Sequence, residues 1–332
     1  MLYPWQQAQW RQLQQAMQQQ RLPHALLLTG PSGVGKRAFS DALSRALLCE
    51  QPDAQGQACG ACHSCKLLDA GNHPDFILLK PVPPKKSTSD NPVLSIKIDA
   101  VRELIERLST TSQMQGRRVA IIEQADKMVH AAANSLLKTL EEPGEDTVLI
   151  LHSARPHLIP VTIRSRCQKL AFPIPERRLA LDWLQQQSVS DAENRLAQAH
   201  GAPLLAVDDE PSGKTALDAA GREAVARAML ARASRQSALM HAAELAKLPK
   251  YPALSCCLDW VSDTIKLKTA TDTPAPLVNA AARKSISVVA AQADSTRLFR
   301  FYDRLCEAIR QESVALNPQL LWESLLISWD EV

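Results

Sequence analysis

The sequence predicts an α/β domain built on a parallel sheet, followed by helical regions that continue to the end of the chain. Up to residue 172, short apolar runs recur with helical patterns between several of them, an alternation that is typical of a parallel sheet covered by helices. After that point the strand-like runs disappear, and segments rich in alanine, leucine and glutamine take over. We therefore expect the α/β domain at 1–172, a small helical region at 173–208 and a larger helical domain at 209–332.

The composition limits the class of protein. With 332 residues, 45% of them hydrophobic and 22% charged, the chain has the composition of a soluble globular protein of two or three domains. It has no apolar run long enough for a membrane span, and its start lacks the segments of a secretory signal. We therefore expect a cytoplasmic protein without membrane association and without disulfides. The net charge of +3 is too small to indicate nucleic-acid binding by itself.

A glycine-rich loop follows the first predicted strand. The apolar run "ALLLT" at 25–29 leads into "GPSGVGKR", and apolar positions at helical spacing follow in "KRAFSDALSRALL". In such a strand, loop and helix arrangement, backbone N–H groups close around phosphate oxygens and the lysine reaches the terminal phosphates. The candidate phosphate-binding residues are Gly30, Gly33, Gly35 and Lys36. A glycine-rich turn without a ligand is the alternative interpretation.

The loop departs from a working nucleotide site at its next position. A Ser or Thr hydroxyl normally helps to hold Mg²⁺ there, but the residue is Arg37, a permanent cation that cannot ligate a metal. A hydrolysing site also needs an acidic pair after a neighbouring strand. Here "RRVAIIEQADKM" offers Glu123 on the metal side, with the neutral amide Gln124 in place of the water-polarising glutamate. We therefore expect no independent ATP hydrolysis and doubt that the loop binds ATP.

Four cysteines form a pattern that is typical of a metal site. The stretch "CEQPDAQGQACGACHSC" at 49–65 has the spacing C-x9-C-x2-C-x2-C. Four thiolates can close a tetrahedral shell around Zn²⁺, which leaves no open coordination position, so we predict a structural zinc module. Its ligands are predicted to be Cys49, Cys59, Cys62 and Cys65. A redox dithiol or unrelated buried cysteines are the alternatives, and His63 is expected to be exposed.

The remaining pattern completes the sheet and the helices. Further strands are predicted at 75–79, 118–123, 147–152 and 168–172. We expect an exposed loop at 81–95, an N-cap at Asp99 for the helix that follows, and a linker at 207–214. The residues expected to be buried in the C-terminal region are Trp260, Trp322, Trp329, Cys256, Cys257 and Cys306.

Taken together, these motifs resemble a known family. The glycine loop, the four-cysteine insertion, "AANSLLKTLEEP" at 132–143 and "TIRSRC" at 162–167 are similar to segments of the bacterial clamp loader of DNA polymerase III, an AAA+ family. The resemblance implies an AAA+ module with a zinc module, a helical lid, and a helical collar that joins five subunits into a ring. The implied partners are the gamma/tau and delta subunits and, through the complex, the sliding clamp and primed DNA.

The resemblance also implies roles for individual residues. The "SRC" at 165–167 matches a motif whose arginine, here Arg166, reaches into the ATP site of the adjacent subunit. A guanidinium delivered in this way neutralises charge that grows on the γ-phosphate. Ser153 falls at the sensor-1 position, and Pro203 and Leu204 stand where an active ATPase has a basic residue.

Three functions follow from these patterns. The first is a clamp-loader subunit that does not hydrolyse ATP and offers Arg166 to its neighbour. The second is an active ATPase motor subunit of the same machine, with Glu123 serving for both acids. The third is a zinc-dependent nucleic-acid-binding module, which the low aromatic content of 4% disfavours. The basic residues considered for DNA contact are Lys85, Lys86, Arg117 and Arg118, of which the last two also suit a solubilising strand end.

Overall fold

The computed structural model of the chain contains two compact units. They comprise Met1–Trp183 with Ala202–Leu204, and Leu184–Gly201 with Leu205–Val332. The described residues are 2–83, 94–114, 116–207, 217–231, 235–270, 277–310 and 317–332. Lys85 and Lys86, most of the expected loop at 81–95 and nearly all of the expected linker at 207–214 lie outside them. The division into three parts stays a prediction.

The first unit contains the predicted parallel sheet. Its strands are β1 (Ala25–Thr29), β2 (Phe76–Leu79), β3 (Arg118–Ile122), β4 (Thr147–Ser153) and β5 (Gln168–Ala171). They lie in the order β2-β3-β4-β1-β5, and every pairing is parallel. The five predicted apolar runs are confirmed as strands. The sheet is therefore a parallel one in which the carboxyl ends of all strands lie at the same edge.

Helices connect the strands and form the second unit. Those in or bordering the first unit are α1 (Gln7–Gln18), α2 (Lys36–Leu48), α3 (His63–Asp69), α4 (Ile98–Ser109), α5 (His130–Glu141), α6 (Val161–Arg164), α7 (Arg177–Gln186) and, after α8 (Ala192–Gln198) of the second unit, α9 (Pro203–Val207). The others are α10 (Ala219–Leu230), α11 (Arg235–Leu245), α12 (Lys250–Thr269), α13 (Arg283–Gln292), α14 (Ser295–Arg310) and α15 (Pro318–Asp330). Within the described ranges, no helix is long and apolar enough to cross a bilayer.

The central strands are mainly apolar because both faces of the sheet are covered. Every residue of β1, β3 and β4 is buried. Successive side chains of a strand point to opposite faces, so Leu26 and Leu28 of β1 join one hydrophobic cluster, which includes Phe39 of α2, and Leu27 joins another, which includes Leu136 of α5. This packing fixes β1 and α2, and thereby the loop between them.

Two expectations about polar residues at element ends are wrong. A short parallel bridge of Ile96 to Met128 keeps the chain extended through Lys97, so α4 begins at Ile98 and Asp99 lies in its first turn instead of capping it. Arg118 is not a solubilising strand end, because it is buried and its guanidinium donates to carbonyl oxygens, including that of Glu145 at 3.1 Å. It joins the end of α4 to the start of β4.

The second unit has its own core. Trp260, Trp322 and Trp329 are buried in it, as predicted, and the Trp329 indole N–H donates to the Met229 carbonyl at 2.9 Å. Of the three cysteines expected to be buried, only Cys257 is fully so, while Cys256 and Cys306 are half-buried.

Candidate functional site

The glycine-rich loop has the backbone that its sequence predicts. Gly30 directly follows β1 with φ 149°, and a Cβ there would lie 2.0 Å from the carbonyl oxygen of Phe172. Gly35 has φ 86° and precedes α2, with the ring of Tyr3 2.5 Å from the position of a Cβ. Side chains are excluded at both positions by backbone conformation and by close neighbours. The loop therefore keeps its shape through glycine.

The loop lysine is bound to the loop itself. The ammonium of Lys36 donates to the carbonyl oxygens of Gly30 and Pro31, both at 2.6 Å. Burial lowers the pKa of Lys36 to about 8, and the nearby Asp126 partly opposes this shift. The ammonium has three N–H donors, so these two bonds leave one for a phosphate oxygen.

Arg37 pairs with the acid predicted for the metal. Its Nη1 donates to the Glu123 carboxylate, and its Nε donates to Asp41 Oδ2 at 3.0 Å. The guanidinium thus neutralises the side chain that would otherwise hold Mg²⁺. Gln124 follows with φ 48°, in the left-handed region, and begins a short 3-10 turn at Ala125–Lys127. The substituted residue Arg37 therefore pairs with the residue that directly precedes the other substitution, Gln124.

An aromatic segment at the start of the chain lies on the loop, which the sequence pattern did not reveal. The Trp5 indole N–H donates to the Val34 carbonyl at 3.0 Å, and the Gln6 amide donates to the Gly35 carbonyl at 2.9 Å. The rings of Tyr3 and Trp5 stack with centroids 5.0 Å apart. These contacts use loop carbonyls and fill space beside Gly35.

The other expected nucleotide contacts are already engaged within the chain. The Ser153 hydroxyl donates to Asp126 Oδ1 at 2.7 Å and accepts from the Arg155 backbone N–H at 3.0 Å. Pro203 is buried at the start of α9, and the Leu204 N–H donates to the Gly33 carbonyl at 3.1 Å. An apolar residue therefore contacts the loop where a basic one would meet phosphate.

Arg166 lies at the amino ends of the strands, whereas the glycine loop lies at their carboxyl ends. β5 runs parallel to β1 with Gln168 opposite Leu26, so Arg166 precedes the amino end of β5, whereas the loop follows the carboxyl end of β1. These edges are at least about 10 Å apart along the strands, at about 3.3 Å per residue. The structure thus separates Arg166 from the loop of its own chain.

The side chain of Arg166 is anchored near the surface. Its Nη1 donates to the Thr162 carbonyl at 2.9 Å, and its Nη2 donates to Glu141 Oε1 at 2.5 Å. The neighbouring Cys167 is buried, and burial raises the pKa of its thiol to about 11, so the thiol is protonated and packs as an apolar group. Arg166 itself keeps 35% of its side chain exposed. It is held in place, but it remains accessible to a partner.

The four cysteines of the predicted module come together. Their Sγ atoms all lie within 4.8 Å of one another, a spread compatible with tetrahedral thiolate coordination of Zn²⁺. The Cys49 and Cys59 sulfurs are 3.5 Å apart, and the Cys49 and Cys62 sulfurs 3.9 Å apart. Backbone N–H groups of Ala61 and Cys62 donate to the Cys59 sulfur and lower its pKa to about 6, which favours the thiolate. The residues therefore fit a structural zinc ion.

The surroundings of the cluster also agree with the sequence pattern. Cys62 is the N-cap of α3, and its sulfur accepts the backbone N–H of Cys65 at 3.4 Å. Burial raises the pKa of Cys65 to about 12, so a bound cation is needed to keep this thiol deprotonated at neutral pH. His63 is exposed, as expected.

Fold and site together define an α/β module on a parallel sheet, with a glycine-rich loop whose backbone carbonyls accept hydrogen bonds from side chains of the same chain. A family model for "DNA polymerase III, delta subunit" matches residues 5–176, and one for "DNA polymerase III, delta subunit, C terminal" matches residues 219–331. The DNA polymerase III subunit delta' of Pseudomonas aeruginosa is 35% identical over 334 residues, which cover 99% of this chain and 97% of that protein. The chain therefore belongs to the DNA polymerase III subunit delta' family.

Further relatives match over shorter stretches. The DNA polymerase III subunit delta' of Yersinia pestis is 41% identical over 185 residues, or 56% of this chain and 52% of that protein. A solved structure of a DNA polymerase III gamma subunit-related protein from Thermotoga maritima covers 97% of this chain and 99% of that one, with 16% identity and a TM-score of 0.44. That last similarity adds nothing to the assignment.

Proposed function

We propose that this chain is a clamp-loader subunit that does not hydrolyse ATP and supplies Arg166 to the ATP of an adjacent subunit. The observation that supports the absence of ATP hydrolysis is the ion pair of Arg37 with Glu123. Hydrolysis in phosphate-loop proteins depends on a metal held by the loop hydroxyl and a neighbouring acid. In this chain a guanidinium replaces the hydroxyl and neutralises the acid, so the glycine loop lacks the ligands that would hold Mg²⁺.

The position of Arg166 supports the proposal that it contacts the ATP of an adjacent subunit. It precedes the amino end of β5 and is partly exposed, so a γ-phosphate that it contacts belongs to another chain. A positive side chain delivered by a neighbour makes hydrolysis depend on correct assembly. An active motor subunit is not supported, because Glu123 would first have to leave Arg37.

The partners and the cofactor follow from the same proposal. The subunit assembles with gamma/tau and delta subunits into a pentamer through its helical second unit, and through this complex it acts on the sliding clamp and primed DNA. Zn²⁺ is bound by the four cysteines of 49–65 and has a structural role. We expect no tight binding of ATP by this chain, because Arg37 and Glu123 pair with each other instead of holding Mg²⁺.

The proposal is tested by adding the chain to the ATP-binding subunits of its clamp loader. Alone, the chain is expected to release no phosphate from Mg²⁺-ATP. Added in stoichiometric amounts to gamma/tau subunits with delta, clamp and primed DNA, it is expected to raise phosphate release several-fold, because it completes an ATP site at a subunit boundary. Heat-inactivated chain is the control. Unchanged release after assembly, confirmed by gel filtration, would contradict the proposal.

A further inference from the structure

We propose that Glu141 is a positioning residue for Arg166, an inference that rests on the function proposed above. Glu141 is the last residue of α5, and its Oε1 accepts from Arg166 Nη2 at 2.5 Å. It belongs to the "LLKTLEEP" segment, which is part of neither the phosphate loop nor the zinc module. The carboxylate holds the guanidinium in the orientation in which it meets the neighbour's γ-phosphate.

The contacts of the guanidinium leave it able to bind a phosphate while it is held. Nη1 donates to the Thr162 carbonyl at 2.9 Å and lies 3.4 Å from the Ser165 hydroxyl, and Nη2 donates to Glu141. A guanidinium carries five N–H donors in a fixed plane, so at least two remain for a phosphate oxygen. Glu141 thus orients the group without using all of its donors.

The helix that carries Glu141 is packed firmly enough to hold its carboxylate in place for Arg166. The helix α5 that carries it is anchored in the core of the sheet by Leu136 and Leu140, among others. An arginine side chain on the surface otherwise samples many rotamers, and ordering it at the moment of reaction slows the reaction. A carboxylate fixed to a packed helix reduces that loss before the neighbour arrives.

The energetics of Glu141 favour a functional role over a structural one. Its side chain is 49% exposed and that of Arg166 is 35% exposed, and exposed ion pairs contribute little to stability. In addition, a carboxylate at the carboxyl end of a helix faces the negative end of the helix dipole, which is unfavourable. Folding alone therefore gives no reason for an acid at this position.

The next residue provides a matched control. Glu142 has the same charge, is also exposed and lies at the C-cap of the same helix. The part of the chain that the structure describes shows no ion pair to it. Glu141→Gln and Glu142→Gln remove the same charge from the same helix end, but only the former replaces the charged acceptor of Arg166 by a neutral amide oxygen, and Glu141→Ala removes that acceptor altogether.

The test is a double-mutant cycle in the reconstituted clamp loader. Glu141→Gln and Glu141→Ala are expected to lower kcat for ATP by about threefold to tenfold, the range typical of weakly coupled contacting residues, with KM unchanged. Glu142→Gln is expected to keep the wild-type kcat. In the Arg166→Ala background, the Glu141 substitutions are expected to have no further effect, and the melting temperature of the subunit is expected to stay equal or rise slightly.

Each contrary outcome is distinct. Unchanged kcat in both Glu141 variants would overturn the inference, and so would a rise in kcat, because it would mean that Glu141 blocks Arg166. A loss that persists in the Arg166→Ala background would show a purely structural effect. If Arg166→Ala itself keeps full activity, the proposed function fails together with this inference, whereas failure of the Glu141 variants alone leaves the proposed function standing.

Discussion

Arg166→Ala is expected to lower ATP hydrolysis by the reconstituted clamp loader while the subunit still folds and assembles. An arginine supplied in trans to a γ-phosphate typically contributes a factor of about 10³ to 10⁵ in the rate at the site it serves. This factor applies to the one site that Arg166 is proposed to serve, so total phosphate release by a complex with further ATP sites is expected to fall by less. Arg166 makes surface contacts only, so its removal leaves the core intact.

The measurement is phosphate release by the assembled complex with clamp and primed DNA, together with gel filtration to verify assembly. Arg164→Ala is the matched control, since Arg164 is an exposed arginine two residues before Arg166, at the end of the short helix α6. Arg166→Lys is expected to recover only part of the rate, because an ammonium keeps the charge but not the planar set of donors. Full activity of Arg166→Ala would remove the catalytic assignment.

Cys62→Ser is expected to abolish zinc binding and to unfold the module at 49–65. Serine is a good N-cap and replaces the cap that Cys62 provides for α3, so the substitution chiefly tests the metal. Zinc sites of this kind contribute about 10 to 16 kcal/mol of apparent binding free energy in small zinc-finger peptides, and here that energy orders a polar stretch without a core of its own. Zinc content is expected to fall from one equivalent to almost none.

Two measurements check this expectation. Metal analysis gives the zinc content, and hydrogen exchange is expected to show lost protection at 49–69 with protection of β1, β3 and β4 unchanged. Cys306→Ser is the control, because Cys306 lies in α14 outside the cluster and should leave zinc stoichiometric. A wild-type chain that is fully folded at 49–65 without metal would contradict the zinc assignment.

The features that the sequence predicts are those encoded by local pattern. Apolar runs predict β1, β3 and β4 because strands buried on both faces are largely apolar. Shorter runs predict the edge strands β2 and β5, whose residues are only partly buried. The glycine loop is recognised because its backbone requires glycine, and the zinc cluster because two-residue gaps bring thiols together. In each case the residues that matter are near one another in the chain.

The features that the sequence does not predict join distant residues. The pairing of Arg37 with Glu123 links residues 86 positions apart, and that of Arg166 with Glu141 spans 25. The stacking of Tyr3 and Trp5 beside the loop also depends on tertiary structure. The sequence shows that Arg37 and Gln124 depart from the motif of an active site. That Arg37 pairs with Glu123 becomes visible only when the order of the strands is known. The expectation for Asp99 is wrong because the bridge of Ile96 to Met128 shifts the start of α4. The expectation for Arg118 is wrong because carbonyl oxygens from distant residues, such as that of Glu145, accept hydrogen bonds from its buried side chain.

The most direct test of the account is equilibrium binding of ATP to the purified chain, with and without Mg²⁺, combined with phosphate release. Because Lys36 and Arg37 are engaged within the chain and Glu123 is neutralised, we expect no tight binding, no effect of Mg²⁺ on what weak binding there is, and no phosphate release. Turnover of ATP by the chain alone, stimulated by Mg²⁺, would contradict the account and show that the loop is a working ATPase site.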